Sequence, residues 1–218
     1  MAAPKKIRAH LTEDRIVDTA LDIMRDDPRG TFTLAKLAQR LGVQTPSIYS
    51  HVPSKQHIIE RVRSRVVSMI DCSAFATKEW DVALAEWARS YAAAFVQHPE
   101  TIPLLATSPV QAPELVSQYE VVAKALLAAG WPRSEIIPTF TVVESFVLGS
   151  VLDLIAPVEM VQPTEGNYPV LESLLGRDSF DEARARRTFE FGLETLMTGF
   201  RARLDVVRSE DGDPALVD

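Results

Sequence analysis

Between residues 44 and 55 the chain reads QTPSIYSHVPSK, and most side chains there can meet a base edge or a phosphate. Gln44 offers an amide, Thr45, Ser47 and Ser50 hydroxyls, Tyr49 a phenol on an apolar ring, His51 a ring nitrogen and Lys55 an ammonium. In a short helix Ile48 and Val52, four residues apart, bury one seam and leave the polar groups on the other side. Amides and hydroxyls are the groups that read base edges in a major groove, while ammonium groups and hydroxyls hold the backbone beside it. The same spacing also fits an ordinary helical hairpin with a polar outer face, and the pattern alone does not separate the two.

The flanking residues supply the elements such a helix needs. Thr33 is placed to cap a helix whose Leu34, Leu37, Ala38 and Leu41 form one apolar stripe, and Gly42 ends it by taking a left-handed conformation. Thr45 is read as the cap of the next helix with Pro46 at its first helical position, and Pro53-Ser54 as a stop followed by a new cap. Upstream, Thr12 caps a helix with Ile16, Val17, Ala20, Leu21 and Met24 on one face, closing near Asp26-Asp27-Pro28. The result is a three-helix head. From Ser54 a fourth helix carries Ile58, Ile59, Val62, Val66, Met69 and Ile70, with Arg61, Arg63 and Arg65 expected on a solvated face.

Charge separates the two readings of the head. Residues 1–65 hold twelve Lys and Arg against seven Asp and Glu, a net +5, so the other 153 residues carry −12 to give the whole chain its −7. A sequence pI near 5.2 argues against nucleic acid, yet the basic charge is concentrated in the segment holding the two-helix unit.

The run from Thr33 to Lys55, with its Leu-Ala-x-x-Leu-Gly-Val core, Pro46, Ser47, Tyr49 and His51-Val52, resembles the DNA-binding domain of the TetR family of transcriptional repressors. The resemblance is strong over about residues 10–70, and Phe189-Glu190-Phe191-Gly192-Leu193 looks like the last helix of the family's C-terminal domain. It implies an all-α homodimer that binds a palindromic double-stranded DNA operator and leaves it when a small molecule enters the C-terminal domain. Carried over by position, Gln44, Thr45, Pro46, Ser47, Tyr49, Ser50 and His51 match recognition-helix residues, Thr33 a phosphate-contacting cap and Lys55 a backbone-contacting lysine. Tetracycline repressors have arginine at the place of Ala35 and tryptophan at that of Ser50, so the operator sequence does not carry over.

With 218 residues, the chain can form a small head on a larger body: residues 1–54 as the DNA-binding head, 55–72 as a connecting helix, 73–218 as a ligand-binding and dimerisation domain. A single cysteine, Cys72, excludes an intrachain disulfide, and no secretory apolar region precedes the basic N-terminus, so the cytoplasm is the expected compartment. The apolar run from Ile136 to Ile155 is interrupted by Pro138, Glu144 and Asp153, and no membrane is expected as a partner. Further helices are expected near 79–97, 101–107, 113–129, 133–156 and 180–204, with Pro157 to Pro169 as a mobile loop and His98 as a helix C-terminal cap. Two apolar stripes, Val142, Val143, Phe146, Val147, Ser150, Val151 and Leu154, then Phe189, Leu193, Leu196, Met197 and Phe200, fit either intramolecular core or an association surface.

An enzyme is disfavoured by inventory: there is no G-x-S-x-G elbow, phosphate-binding glycine loop, H-E-x-x-H or Cys-x-x-Cys. The four histidines are poorly spaced for metal, and neither a metal nor another cofactor is expected. Trp80, Trp87 and Tyr91, seven and four apart, share a helix face that together with Phe146 is read as lining a small-molecule site, with plain core packing as the competing reading. Asp153 lies in an apolar run where a buried carboxylate needs a partner, and a solvent-facing aspartate near a helix end is the competing reading. By resemblance it matches the glutamate with which tetracycline repressors approach the metal of their drug complex. The surrounding metal-site residues do not match, so neither tetracycline nor magnesium is carried over. The leading reading is a ligand-responsive repressor; the rival is a helical ligand-binding or interaction protein that does not bind DNA.

Overall fold

The computed structural model describes residues 10–27, 30–157, 161, 166–175 and 183–211. All of its regular structure is helical, with no strand among these residues, as the periodicity requires. The chain divides into two compact units, one of residues 1–65 and 100–113, the other of residues 66–99 and 114–218.

The first unit opens with α1 (Glu13–Asp26), capped by Thr12, whose hydroxyl accepts the Arg15 N–H. Next come α2 (Leu34–Leu41) and the five-residue α3 (Thr45–Tyr49). Most of α4 (Lys55–Val67) and the short α6 (Ile102–Leu105) complete it. Ile16, Ala20, Leu37, Ile48, Ile58 and Val62 are fully buried and form its core. The three arginines of α4 do not share one solvated face. Arg61 pairs with Glu13 at 2.6 Å and Arg65 with Asp14 and Asp18, all on α1. Arg63 is only 4% exposed and donates to the carbonyls of Leu105, Ser108 and Pro109 at 3.0–3.3 Å, with Glu60 beside it at 3.4 Å. Glu60 in turn accepts the Gln111 N–H at 2.8 Å. A buried charge of this kind is tolerable because Glu60 and three backbone carbonyls replace the water it gives up.

The second unit contains α5 (Trp80–Gln97), α7 (Pro113–Ala128), α8 (Arg133–Leu154), α9 (Pro169–Leu174) and α10 (Arg184–Asp211). The residues of α7 from Glu114 onward lie in this unit. The core of the unit is formed by α5, α8 and α10, which pack on one another. His98 ends α5 as expected, its N–H bonding the Phe95 carbonyl. The α9 helix starts at the end of the stretch expected as a loop; residues 158–160 and 162–165 of that stretch lie outside the described residues, as do 180–182 of the last expected helix.

By length and mean hydropathy, 1.5 over its apolar window, α8 alone among the described residues would suffice to cross a membrane. Instead it packs along α5 and α10 with Val143, Val147 and Val151 fully buried. Those valines, with Phe189, Leu193 and Met197 of α10, settle much of the sequence stripes as intramolecular core. The residues these helices leave exposed are different: Ile137, Thr141, Val142, Ser145, Gly149 and Leu152 form an uncharged face on α8, while on α10 Phe191, Thr195, Thr198, Ala202 and Val206 are exposed among charges such as Glu194, Arg201 and Asp205. Gly192 lets α10 approach closely, since a Cβ there would lie 2.5 Å from the Phe146 ring.

Candidate nucleic-acid interface

The turn between α2 and α3 depends on Gly42, which sits at φ +68° and donates its N–H back to the Ala38 and Gln39 carbonyls. Any residue with a Cβ is strained in that conformation, so glycine fixes where α2 stops and α3 starts. The α3 cap differs from expectation. Gln44 occupies the cap position without a side-chain hydrogen bond, Thr45 is the first helical residue and Pro46 the second. Proline fits as well there, because the second helical N–H is also without an intrahelical partner. The Gln44 carboxamide is exposed and uncommitted to capping, while Thr45 is half-buried.

Ile48 and Val52 are 0% and 1% exposed, so they seat α3 and its C-terminal turn on the core. On the opposite side Gln44, Pro46, Ser47, Tyr49, Ser50 and His51 are exposed, Tyr49 to 49%. The His51 ring meets His10 edge-on at 6.2 Å. Thr33 caps α2 by accepting the Lys36 N–H at 3.2 Å, which leaves its hydroxyl proton available to a phosphate oxygen. Ser54 caps α4 by accepting the His57 N–H at 3.0 Å, and this places Lys55 at the first position of α4.

Electrostatics single out Lys55. Lys36 pairs with Asp27 at 3.0 Å, Arg40 with Asp26 at 2.7 Å and Arg25 with Asp22 at 3.2 Å. The α4 arginines are committed as described above. Lys55 instead has its ammonium 5.7 Å from the centre of the Phe32 ring, an arrangement that holds the charge without neutralising it.

In the second unit the five residues expected around a small molecule fall into separate clusters. Trp87 and Tyr91 do meet, edge-to-face at 5.4 Å, with Tyr91 stacked on Phe95 at 5.1 Å. Trp80 packs edge-on against Trp131, and Phe146 stacks on Phe189 at 5.5 Å. Asp153 receives both arms of the Arg184 guanidinium at 3.0 and 2.8 Å, and those hydrogen bonds raise the Arg184 pKa above its ordinary value despite desolvation. The partner that Asp153 required is therefore an arginine, and no group of three His, Cys, Asp or Glu capable of holding a metal occurs among the described residues. Polar groups that the sequence reading passed over enter this core from α7: Gln118 contacts Trp87, and the Tyr119 hydroxyl donates to Glu144 at 2.7 Å. In sequence they belong to one polar stretch, Ser117-Gln118-Tyr119-Glu120, which reads as a solvated helix face.

Residues 76–204 match the family model described as the tetracycline repressor-like C-terminal domain. The tetracycline repressor protein class E of Escherichia coli is 28% identical over 213 residues, covering 94% of this chain and 99% of that protein. Among solved structures, apo ActR from Streptomyces coelicolor superposes with a TM-score of 0.72 at 23% identity, over 91% of this chain and 99% of that one. BioQ solved with its double-stranded DNA operator gives a TM-score of 0.63 at 22% identity, over 88% and 99%. The family match spans more than half of the chain and the solved relatives share its helical fold, so the protein belongs to the TetR family of transcriptional regulators.

Proposed function

We propose that the protein is a cytoplasmic, homodimeric repressor that binds a palindromic operator through α3 and is released from it by a small-molecule effector. The observation that carries this reading is the two-sided character of α3: Ile48 and Val52 are buried, and Gln44, Ser47, Tyr49, Ser50 and His51 are turned outward. In the proposed complex Gln44, Thr45, Ser47 and Ser50 meet base edges, Pro46 and Tyr49 make apolar contact, and His51, Thr33 and Lys55 hold phosphates. We assign DNA reading to residues 1–54, connection to 55–72, and effector binding and dimerisation to 73–218.

Dimerisation is supported by the uncharged outer face of α8 and the apolar residues exposed on α10, which include Ile137 at 60% and Phe191 at 72% exposure. A lone five-residue recognition helix spans few base pairs, whereas two related by a two-fold axis read half-sites roughly 34–36 Å apart. BioQ was solved with a DNA operator, and ActR has also been solved with actinorhodin. From these relatives we carry over two partner classes, duplex DNA and a small organic molecule, and no individual identity. For the effector we propose the neighbourhood of Trp80, Trp87, Tyr91, Phe146 and Asp153 in the second unit.

A gel shift with the DNA flanking the protein's own gene tests the reading. Retardation of one duplex over an unrelated one, at one dimer per site, is the expected result. Absence of any selective retardation refutes it and leaves a helical ligand-binding or interaction protein.

A further inference from the structure

Helix α4 is continuous from Lys55 to Val67, about 20 Å of helix at 1.5 Å per residue, so a displacement of its last turn reaches its first. The Val67 carbonyl closes that last turn. It accepts the Ile70 N–H at 3.0 Å and, from another helix, the side-chain amide of Gln118 at 2.9 Å. The other end of the same carboxamide faces the core: Gln118 Oε1 lies 3.5 Å from the indole Nε1 of Trp87, whose ring is 1% exposed. One short side chain thus ties the end of α4 to an aromatic ring buried in the middle of α5.

We propose that Gln118 is the positioning residue through which the state of the Trp87 environment is passed to α4. The two bonds are unequal in the way such a relay needs. At 2.9 Å the hold on Val67 is an ordinary strong hydrogen bond, while 3.5 Å is the outer limit for the indole contact. A molecule entering beside Trp87 with an acceptor for the indole N–H takes the weaker bond first. The carboxamide then turns to satisfy its orphaned oxygen, and the Val67 carbonyl loses its second donor. Gln118 is part-buried, so a carboxamide that has lost the indole costs free energy until its oxygen finds a new donor, and this favours the turned arrangement. This deepens the ligand-responsive reading above and rests on it.

Linkage is reciprocal, so operator DNA itself serves as the probe of the relay. The indole Nε1–H resonance of Trp87 is followed by nitrogen-proton NMR in the full-length dimer, assigned by its loss in Trp87→Phe, while the duplex selected by gel shift is added. In the unaltered protein that resonance shifts on DNA binding. In Gln118→Met, and in Gln118→Glu, which keeps size and acceptor but has no N–H for Val67, the shift falls at least fivefold although DNA is still bound. The proposal is overturned if the resonance shifts equally in the variants, if it does not move in the unaltered protein, or if the variants lose only thermal stability. If the unaltered protein binds no DNA, the DNA-binding reading fails and the relay with it, a result distinct from the other three. Should Gln118→Met fail to fold, the nearly isosteric Glu variant still decides the question.

Discussion

Replacing Lys55 with methionine isolates the one described cation of the first unit that the structure shows over an aromatic ring with no carboxylate partner. Its neighbours Lys36 and Arg40 hold Asp27 and Asp26, and the α4 arginines hold α1 carboxylates or backbone carbonyls. A cation already neutralised within the protein releases few counterions when DNA arrives; Lys55, 5.7 Å above Phe32, keeps its charge to deliver. With one Lys55 in each subunit, Lys55→Met removes two phosphate contacts and flattens the plot of log affinity against log salt by about 1.8, at roughly 0.9 per contact. Over a fourfold rise in salt that amounts to an affinity loss about twelvefold smaller than in the unaltered protein.

The cost to the fold is modest, because a part-exposed cation over an aromatic ring contributes about 0.5–2 kcal/mol. Fluorescence anisotropy of a labelled operator at several salt concentrations gives the slope directly. Lys55→Arg is expected to keep it, and Arg61→Gln, which unties Glu13, to change it less than half as much. A slope for Lys55→Met that equals that of the unaltered protein would show that Lys55 touches no phosphate, and the assignment of the whole interface would have to move. Base preference is expected to stay the same in Lys55→Met and to change in Gln44→Ala or Ser47→Ala.

Arg63→Met leaves Glu60 buried without its cation and three carbonyls without their donor, and urea denaturation should report a loss of about 3–5 kcal/mol, part of it recovered in Glu60→Gln/Arg63→Met. A loss under about 1 kcal/mol would mean that water replaces the guanidinium and that the clamp is not structural. Gly192→Ala drives a methyl into the Phe146 ring and is expected to cost roughly 1–3 kcal/mol in thermal or chemical unfolding, with the Phe146 to Phe189 stacking disturbed. Burial first, and the charge of Asp71 second, push the Cys72 thiol up to about 11, so the thiol stays protonated at neutral pH. Alkylation by iodoacetamide at pH 8 should be slow and should accelerate only as the pH approaches that value; fast labelling at pH 8 would contradict the burial.

The head was the legible part of the sequence, because its signals are local. Thr12 and Thr33 cap the helices they were expected to cap, and Gly42 alone accounts for the turn between α2 and α3. Even the misplacement of the α3 cap by one residue has a local cause: proline is equally at home at the first and second helical positions, where neither N–H has an intrahelical partner. What was not legible depends on pairings across long stretches of chain. Arg63 and the carbonyls at 105–109 are more than 40 residues apart, and nothing in the pattern of α4 tells a buried arginine from its solvated neighbours. Asp153 and Arg184 are 31 residues apart in the same way, so the sequence left Asp153 between a partnered carboxylate and a solvent-facing one and did not point to Arg184.

The stripe on α8 failed for another reason. Helical periodicity locates a buried face by contrast with a polar one, and α8 offers little contrast: Val143, Val147 and Val151 line its inside, while Ile137, Val142 and Leu152 line its outside. A stripe drawn from apolar residues alone therefore mixed Val142, which is 43% exposed, with its buried neighbour Val143. The absence of contrast is itself informative. A helix whose outer face stays free in the monomer has little reason to keep Ile137, Val142 and Leu152 there without a charge among them. On α10 Phe191 and Val206 are exposed as well, though among charges such as Glu194 and Asp205, so the lack of contrast that blurred the sequence reading of α8 is the feature that supports a subunit interface.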